Sequence, residues 1–351
     1  MANWYATREQ TKRAARASGV QVDDSIDRTI EASSRSIDQA TRRYFIPRTE
    51  TRLYRWPQAN GSSVRLYLDQ DLISVSALRT KAQDSSPTTI SSSDYFLEPE
   101  NQNPPYLRIE IDLSSTAAFE GGDTPQRSIS VAGSWGYSAN TRSSGTVTSG
   151  LASDSAATSM VCSDGSLIDV GDTLLIESEQ LFVSERTNAA EPNSDLLDGA
   201  LTKDASENVT VDSGSRYSVT EVIMVDTEKM LIVGINGNVL DVQRGFDGTA
   251  VAAHSNNTAV HVFRTLTIER GVNGTTAATH ANSTAVSKYE PEFPINQLCV
   301  AEAVSAIKQE MAGWGRSIGV GDNTAELQSR GLVSLRNETV MRYSRMREAV
   351  I

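Results

Sequence analysis

A strand-like segment, Arg127-Ser128-Ile129-Ser130-Val131-Ala132-Gly133-Ser134-Trp135-Gly136-Tyr137, stops without the helix that should close its domain. That helix begins only at Pro294-Ile295-Asn296-Gln297-Leu298-Cys299-Val300. Between them the composition changes to short apolar runs set in Ser, Thr and Gly. A chain interrupted in this way is constrained to a discontinuous core, residues 1–138 with 291–351, and an inserted β-rich module, residues 139–290. The expected class is α+β: a helical core with a β-hairpin arm, plus an inserted all-β, sandwich-like domain. The 351 residues allow about two domains of ordinary size.

Helical periodicity is clearest from Asp24 to Tyr44. Ile26, Ile30, Ser33, Ile37, Ala40 and Tyr44 recur at spacings that put them on one face. Asp23 or Asp24 can cap the helix, and Pro47 ends it. A shorter helix is predicted from Arg8 to Ala17, with Gly19 as its stop. After Pro294, the residues Ile295, Leu298, Cys299, Ala303, Val304, Ile307, Met311 and Trp314 share a face. The last segment, Arg336 to Ile351, reads as a helix or as a tail that orders on contact.

Alternation predicts strands at 51–56, 64–68, 72–78, 95–97, 106–111 and 129–135, with Asn60-Gly61 as a hairpin turn. Residues 138–160 read as a linker, and 187–215 as a long loop. In the module, 173–177 and 180–183 form one predicted pair, and 221–225 and 230–233 another. Arg244-Gly245-Phe246-Asp247-Gly248-Thr249 recurs as Arg270-Gly271-Val272-Asn273-Gly274-Thr275. His254 and His280 follow at matching positions, so the segment is a repeat built on a glycine turn of positive φ.

Charge is unevenly spread over a net −12. Residues 141–289 hold 9 basic and 19 acidic residues, whereas the first 60 hold 11 basic and 7 acidic. The acidity therefore belongs to the insert and both ends are basic, which argues against a uniform DNA-binding surface. No apolar run approaches the roughly 20 residues of a membrane-spanning helix. The N-terminal residues lack a secretory signal pattern, and the expectation is assembly in the cytoplasm without a membrane partner.

No enzymatic constellation emerges, so no catalytic, cofactor or metal residues are assigned. The histidines His254, His261 and His280 lack a second nearby ligand, and a duplicated turn suggests loop packing. Glu177 and Glu179 read as solvated charge on a strand edge. A hydrolase using that pair is the weaker alternative. Gly313, Gly315, Gly319 and Gly321 follow a helix and read as a hinge, unlike a dinucleotide loop. Arg336, Arg342, Arg345 and Arg347 are the candidates for docking a partner. Arg13, Arg16, Arg42 and Arg43 are candidates for facing a neighbouring subunit or DNA, against the plainer reading of a solvated helix face.

Several segments, in order, carry a resemblance. They are Tyr5-Ala6-Thr7, Asp23 to Asp38 with Arg43-Tyr44-Phe45, Thr51-Arg52-Leu53-Tyr54, Leu68 to Val75, and Asp94 to Pro99. Pro105 to Glu110, Val131-x-Gly133-x-Trp135-Gly136-Tyr137 and the Pro294 to Ile307 helix complete them. Together they resemble the head–tail connector, or adaptor, family of tailed bacteriophages. The insert is the departure from that pattern. The resemblance implies a virion protein of the neck, a homo-oligomeric ring, commonly dodecameric, below the portal protein. It also implies a C-terminal segment docked on the portal, a tail-side neck or tail protein as second partner, and genomic DNA passing non-specifically through the lumen. The alternative reading is a phage or surface adhesion protein whose β-rich module binds glycan or protein.

Overall fold

The computed structural model describes residues 3–57, 64–101, 104–189, 194–311, 317–318, 325–326 and 330–345. The Asn60-Gly61 turn, Trp314, the four glycines of 313–321 and Arg347 lie outside the described residues. Four helices are seen among them: α1 (Arg8–Ala15), α2 (Asp23–Thr41), α3 (Phe293–Met311) and α4 (Arg330–Tyr343). Strands nevertheless outweigh helices among the regular elements, in one six-stranded and one eleven-stranded antiparallel sheet. The expected α+β class with a helical core is thus corrected to a mainly β protein. The helical stripes are real but short. The polar Ser/Thr-rich stretches between them pair as strands that hydrophobic periodicity could not see.

Contacts divide the chain into two units. One holds Met1–Arg35, Thr141–Val272 and Thr276–Leu335; the other holds Ser36–Asn140, Asn273–Thr275 and Arg336–Ile351. The division set out from the sequence joined 1–138 with 291–351. Trp135 and Leu298, expected in one core, fall in different units.

The unit containing Trp135 is built on β1 (Arg48–Tyr54), β2 (Arg65–Thr80), β3 (Thr88–Ile90), β4 (Tyr95–Glu98), β5 (Tyr106–Ile111) and β6 (Ile129–Trp135). Their order is β1-β6-β2-β5-β4, with β3 on the end of β2. Alternation sends Ile129, Val131 and Trp135 of β6 inward with Leu66, Leu72, Leu78 and Ile109. Gly133 lies in the same inward row because a Cβ there would meet the Ser74 carbonyl oxygen at 2.1 Å. The Trp135 indole N–H donates to the Glu50 carbonyl at 3.0 Å, so its one polar group is satisfied.

The other unit carries β7 (Thr141–Ser149), β8 (Ser159–Cys162), β9 (Thr173–Ile176), β10 (Glu179–Ala189), β11 (Asp195–Leu196) and β12 (Val209–Thr210). It continues with β13 (Val222–Val225), β14 (Glu228–Asn236), β15 (Val239–Gln243), β16 (Ala259–Glu269) and β17 (Ala285–Tyr289). The linker expected at 138–160 is thus half strand, in β7 and the start of β8. The long loop expected at 187–215 has as strand, among its described residues, only the end of β10 and the two-residue β11 and β12. A separate two-residue pair joins β18 (Ser317–Ile318) to β19 (Ala325–Glu326).

The eleven strands are two copies of one design. Hairpin β9–β10 pairs Ile176 with Glu179 and Thr173 with Phe182. Hairpin β13–β14 pairs Val225 with Glu228 and Met224 with Lys229, the same register. The next pairing, β10 with the second half of β16, has a bulge between Val183 and Glu185. Its counterpart, β14 with β15, has a bulge between Ile232 and Gly234. Each copy keeps its own core. One contains Leu151, Met160, Leu174, Leu181, Val183, Leu266 and Val286. The other contains Leu201, Val209, Ile223, Met230, Ile232, Leu240 and Val260. The second copy sits inside the first: it leaves after β10 and returns along β16. The first half of β16 closes the inner copy, and its second half continues the outer one.

Candidate partner-binding site

In the six-stranded unit, the basic residues and the C-terminal segment converge on Asp71. This carboxylate is fully buried and accepts from Arg43 through one oxygen and from Arg345 through the other, each at 2.8 Å. Burial pushes the Asp71 carboxyl up, against the pull of Arg43 and Arg345. The Arg345 guanidinium also donates to the Leu68 carbonyl at 2.8 Å, and its backbone N–H to the Thr41 carbonyl at 2.9 Å. Burial lowers its pKa. Tyr343, at the end of α4, meets Phe45 and Tyr137 edge-on at 5.8 and 5.5 Å. Arg43 lies over the Tyr137 ring at 4.9 Å. The C-terminal segment, as far as Arg345, is thus fastened by one ion-pair node and one aromatic cluster.

The other candidates stand apart from that node. Arg336 donates to the Ser36 hydroxyl at 3.0 Å. Arg342 is exposed, against the Tyr343 ring. Arg42 is exposed at the αL residue just past α2. Arg13 and Arg16, in the other unit, are exposed at the end of α1.

A second feature of the six-stranded unit is its outer face. Cross-strand register sets Arg65, Glu110 and Phe96 in one row and Tyr67, Arg108 and Glu98 in the next. Leu53 projects on the outer side of β1, opposite Ser130. Leu53, Tyr67 and Phe96 are 46%, 48% and 50% exposed, a large apolar contribution to solvent from three side chains. Arg65 pairs with Glu110 at 3.0 Å, and Arg108 reaches both Glu98 and Glu110 at 3.7 Å. Tyr, Phe and Arg are residue types enriched at protein interfaces, whereas Glu is depleted there.

The histidines and paired carboxylates hold each β copy together. Glu179 is buried and accepts from Arg270 Nε and Nη2 at 2.7 Å each, from the N–H groups of Gly271 and Ala278 at 3.0 Å, and bonds His280 at 2.8 Å. Glu228 repeats this set with Arg244, Gly245, Ala252 and His254. The outer ring nitrogens of the two histidines meet Glu177 and Asp226, at 2.8 and 2.7 Å. Burial alone would raise both inner carboxyls. The arginine, the backbone donors and the histidine outweigh it and hold each down to about 2. A carboxylate kept ionised by five donors is unsuited to give or take a proton near neutrality. The reading of Glu177 and Glu179 as a solvated strand edge is corrected: Glu177 is an exposed turn residue with φ 55°, and Glu179 is a buried keystone.

The glycine turns behave as the repeat predicts. Gly245, Asp247 and Gly248 have φ of 64°, 53° and 77°, and Gly271, Asn273 and Gly274 have 59°, 56° and 79°. The sequence reading missed the second half of the duplication, at an offset of 49. Its signal is Ile176-Glu177-Ser178-Glu179-Gln180-Leu181-Phe182-Val183 against Val225-Asp226-Thr227-Glu228-Lys229-Met230-Leu231-Ile232.

Among the described residues, no helix is long and apolar enough to cross a membrane, and no group of His, Cys, Asp and Glu is placed to hold a metal ion. No protein-family model, no curated protein and no solved structure matches the chain.

Proposed function

We propose that the chain is a structural subunit of the phage neck, a head-to-tail adaptor. It assembles as a ring beneath the portal and passes genomic DNA through its lumen. The observation that carries the reading is the outer face of the six-stranded sheet, where Tyr67 and Phe96 stand exposed among paired charges. The order of the connector-like segments, from Tyr5 to Tyr137 and again from Pro294, supports the same assignment. Contact with neighbours in a closed ring would cover that face.

Native mass measurement and negative-stain imaging of the purified chain, alone and with portal rings, test the proposal. Rings are expected for wild type, and folded monomers for Tyr67→Glu combined with Phe96→Glu. Wild-type chain that stays monomeric in the presence of portal overturns it. The adhesion reading, with the β-rich module binding glycan or protein, draws on a different observation. A shallow cleft of about 660 Å³ is lined by Thr148, Ser163, Ser194, Ser215, Arg216 and Ser218. Binding of the chain to an immobilised glycan panel, with none to portal, would favour that reading.

A further inference from the structure

The N-terminal arm, Trp4–Ala15, lies along the β-rich module within one unit and touches both copies of the repeat. Its Trp4 ring packs edge-on against Phe182 of the outer copy at 5.2 Å. It also fills the space over Gly171, where a Cβ would come within 2.4 Å of the ring. The Arg8 backbone N–H donates to the Val170 carbonyl at 3.0 Å, and the Val170 N–H donates back to the Glu9 carboxyl at 3.0 Å. Arg8 pairs with Asp27 at 2.6 Å and with Glu185 at 2.9 Å. Lys12 reaches Asp247 of the inner copy at 3.0 Å and Asp23 at 2.9 Å. The matching turn of the outer copy has Asn273 where the inner has Asp247, so only the inner turn offers a carboxylate there.

One contact is out of keeping with the rest. Glu9 and Asp169 share a single guanidinium, Arg186, at 3.6 and 3.2 Å. Arg186 also donates to the carbonyls of Gly165 and Phe263. Two carboxylates therefore face the Nη1 end of one cation, whose Nη2 is taken by two carbonyls and whose Nε is buried without a partner. Like charges so placed disfavour double ionisation.

We propose that this arm is a proton-responsive clasp: it holds the module most tightly while Glu9 is protonated and loosens when Glu9 ionises beside Asp169. The facing charges are Arg8 and Lys12 on α1, and Asp23 and Asp27 on α2. On the module they are Asp169 and Asp172 before β9, Glu185 and Arg186 on β10, Lys229 on β14 and Asp247 after β15. Asp172 is paired to Lys288 at 3.0 Å. From α3 the arm receives an uncharged partner, Asn296, which donates to the Tyr5 carbonyl and to Gln10.

Burial first, then the Asp169 charge, push the Glu9 carboxyl up to about 8, against Arg186 and Arg8. A carboxyl raised on docking binds a proton more tightly in the docked arm. Docking is therefore strongest below the ordinary Glu range, weakens as pH rises toward about 8, and levels off above it.

Hydrogen–deuterium exchange on the full chain, corrected for intrinsic rates, tests this at the amides of 8–15 and Val170. Between pH 5.5 and 7.5 wild-type protection should fall by up to about 100-fold, the limit for one linked proton. Glu9→Gln, a permanent stand-in for the protonated form, should keep the arm protected throughout. Protection independent of pH in wild type overturns the proposal. So does an unchanged dependence in Glu9→Gln, or an arm that Glu9→Gln releases at every pH.

Discussion

Replacing Glu228 by Gln tests whether the buried carboxylate is the keystone of its copy. The substitution keeps volume and removes one charge. It also turns an acceptor of five donors into a group whose amide end faces donors. Arg244 and Glu228 both have fully buried side chains, so the guanidinium would keep its charge with only the partly exposed Glu207, 3.8 Å away, as a counter-ion. Breaking one partner of a buried, hydrogen-bonded pair costs about 3–5 kcal/mol. The depression of the carboxyl to about 2 gives an independent figure of about 3 kcal/mol at most.

The sign over pH follows from that depression. A carboxylate ionised more readily in the fold contributes stability that is full above the ordinary Glu range. That stability is lost as pH falls from about 4.5 toward 2. Guanidinium unfolding at pH 7 should show the loss. In thermal melts it should appear as a drop of about 6–20 °C for a unit of this size. Glu179→Gln should match it, because Arg270, His280 and the two backbone donors repeat the arrangement. Each variant should also flatten the acid limb of the stability curve. A Glu228→Gln chain within about 1 kcal/mol of wild type at pH 7 would refute the keystone argument, since exposed substitutions cost that little.

Three further outcomes are expected. Asp71→Asn strips the counter-ion from Arg43 and Arg345 and should cost about 3–5 kcal/mol; hydrogen exchange at α4 should rise with it, and unchanged exchange would show the segment is held elsewhere. Gly133→Ala drives a methyl into the Ser74 carbonyl and should cost about 3 kcal/mol or more by overpacking, read as loss of cooperative unfolding. Gly171→Ala, at φ 101°, should cost about 1–3 kcal/mol and displace Trp4, detectable as a change in tryptophan fluorescence.

How far the fold was legible depends on what kind of signal each element carries. The stripe Ile26, Ile30, Ile37 is fully buried, and α2 runs from Asp23 to Thr41 much as its period predicts. It stops at Arg42, whose φ of 57° ends the helix before Pro47 is reached. β7 is the opposite case. Its buried positions are Ser144 and Val147, so alternation has almost nothing to report, and the stretch read as a linker. Its strand character comes from pairing with β17 and β8, a tertiary effect. The keystones were hidden for another reason. Glu179 and Arg270 are 91 residues apart, and nothing local says that a Glu in a polar turn will be buried. The basic candidates show the converse: counting arginines found Arg43 and Arg345, but only the fold shows Asp71 holding both.

The nesting of the copies makes a sharper claim about the module. Residues of the inner core, from Leu197 to Val262, all lie inside 188–264, and residues of the outer core all lie outside it. The inner copy also shows how the outer one should close. Its β14–β15 hairpin pairs Asn236 with Val239 around Gly237-Asn238, with Gly237 at φ 60°. The equivalent positions of the outer copy are Thr187 and Thr265, which pair directly across β10 and β16. Replacing 188–264 by Gly-Asn should therefore turn two distant strands into one tight hairpin and leave the outer core complete. The excision also removes Arg264 and Asp247, so some loss is expected where Cys162 donates to the Arg264 carbonyl and where Lys12 meets Asp247. A cooperatively unfolding product with dispersed amide resonances is the expected result. A product that binds hydrophobic dye and melts without a transition would show that the two cores depend on each other through the strand they share.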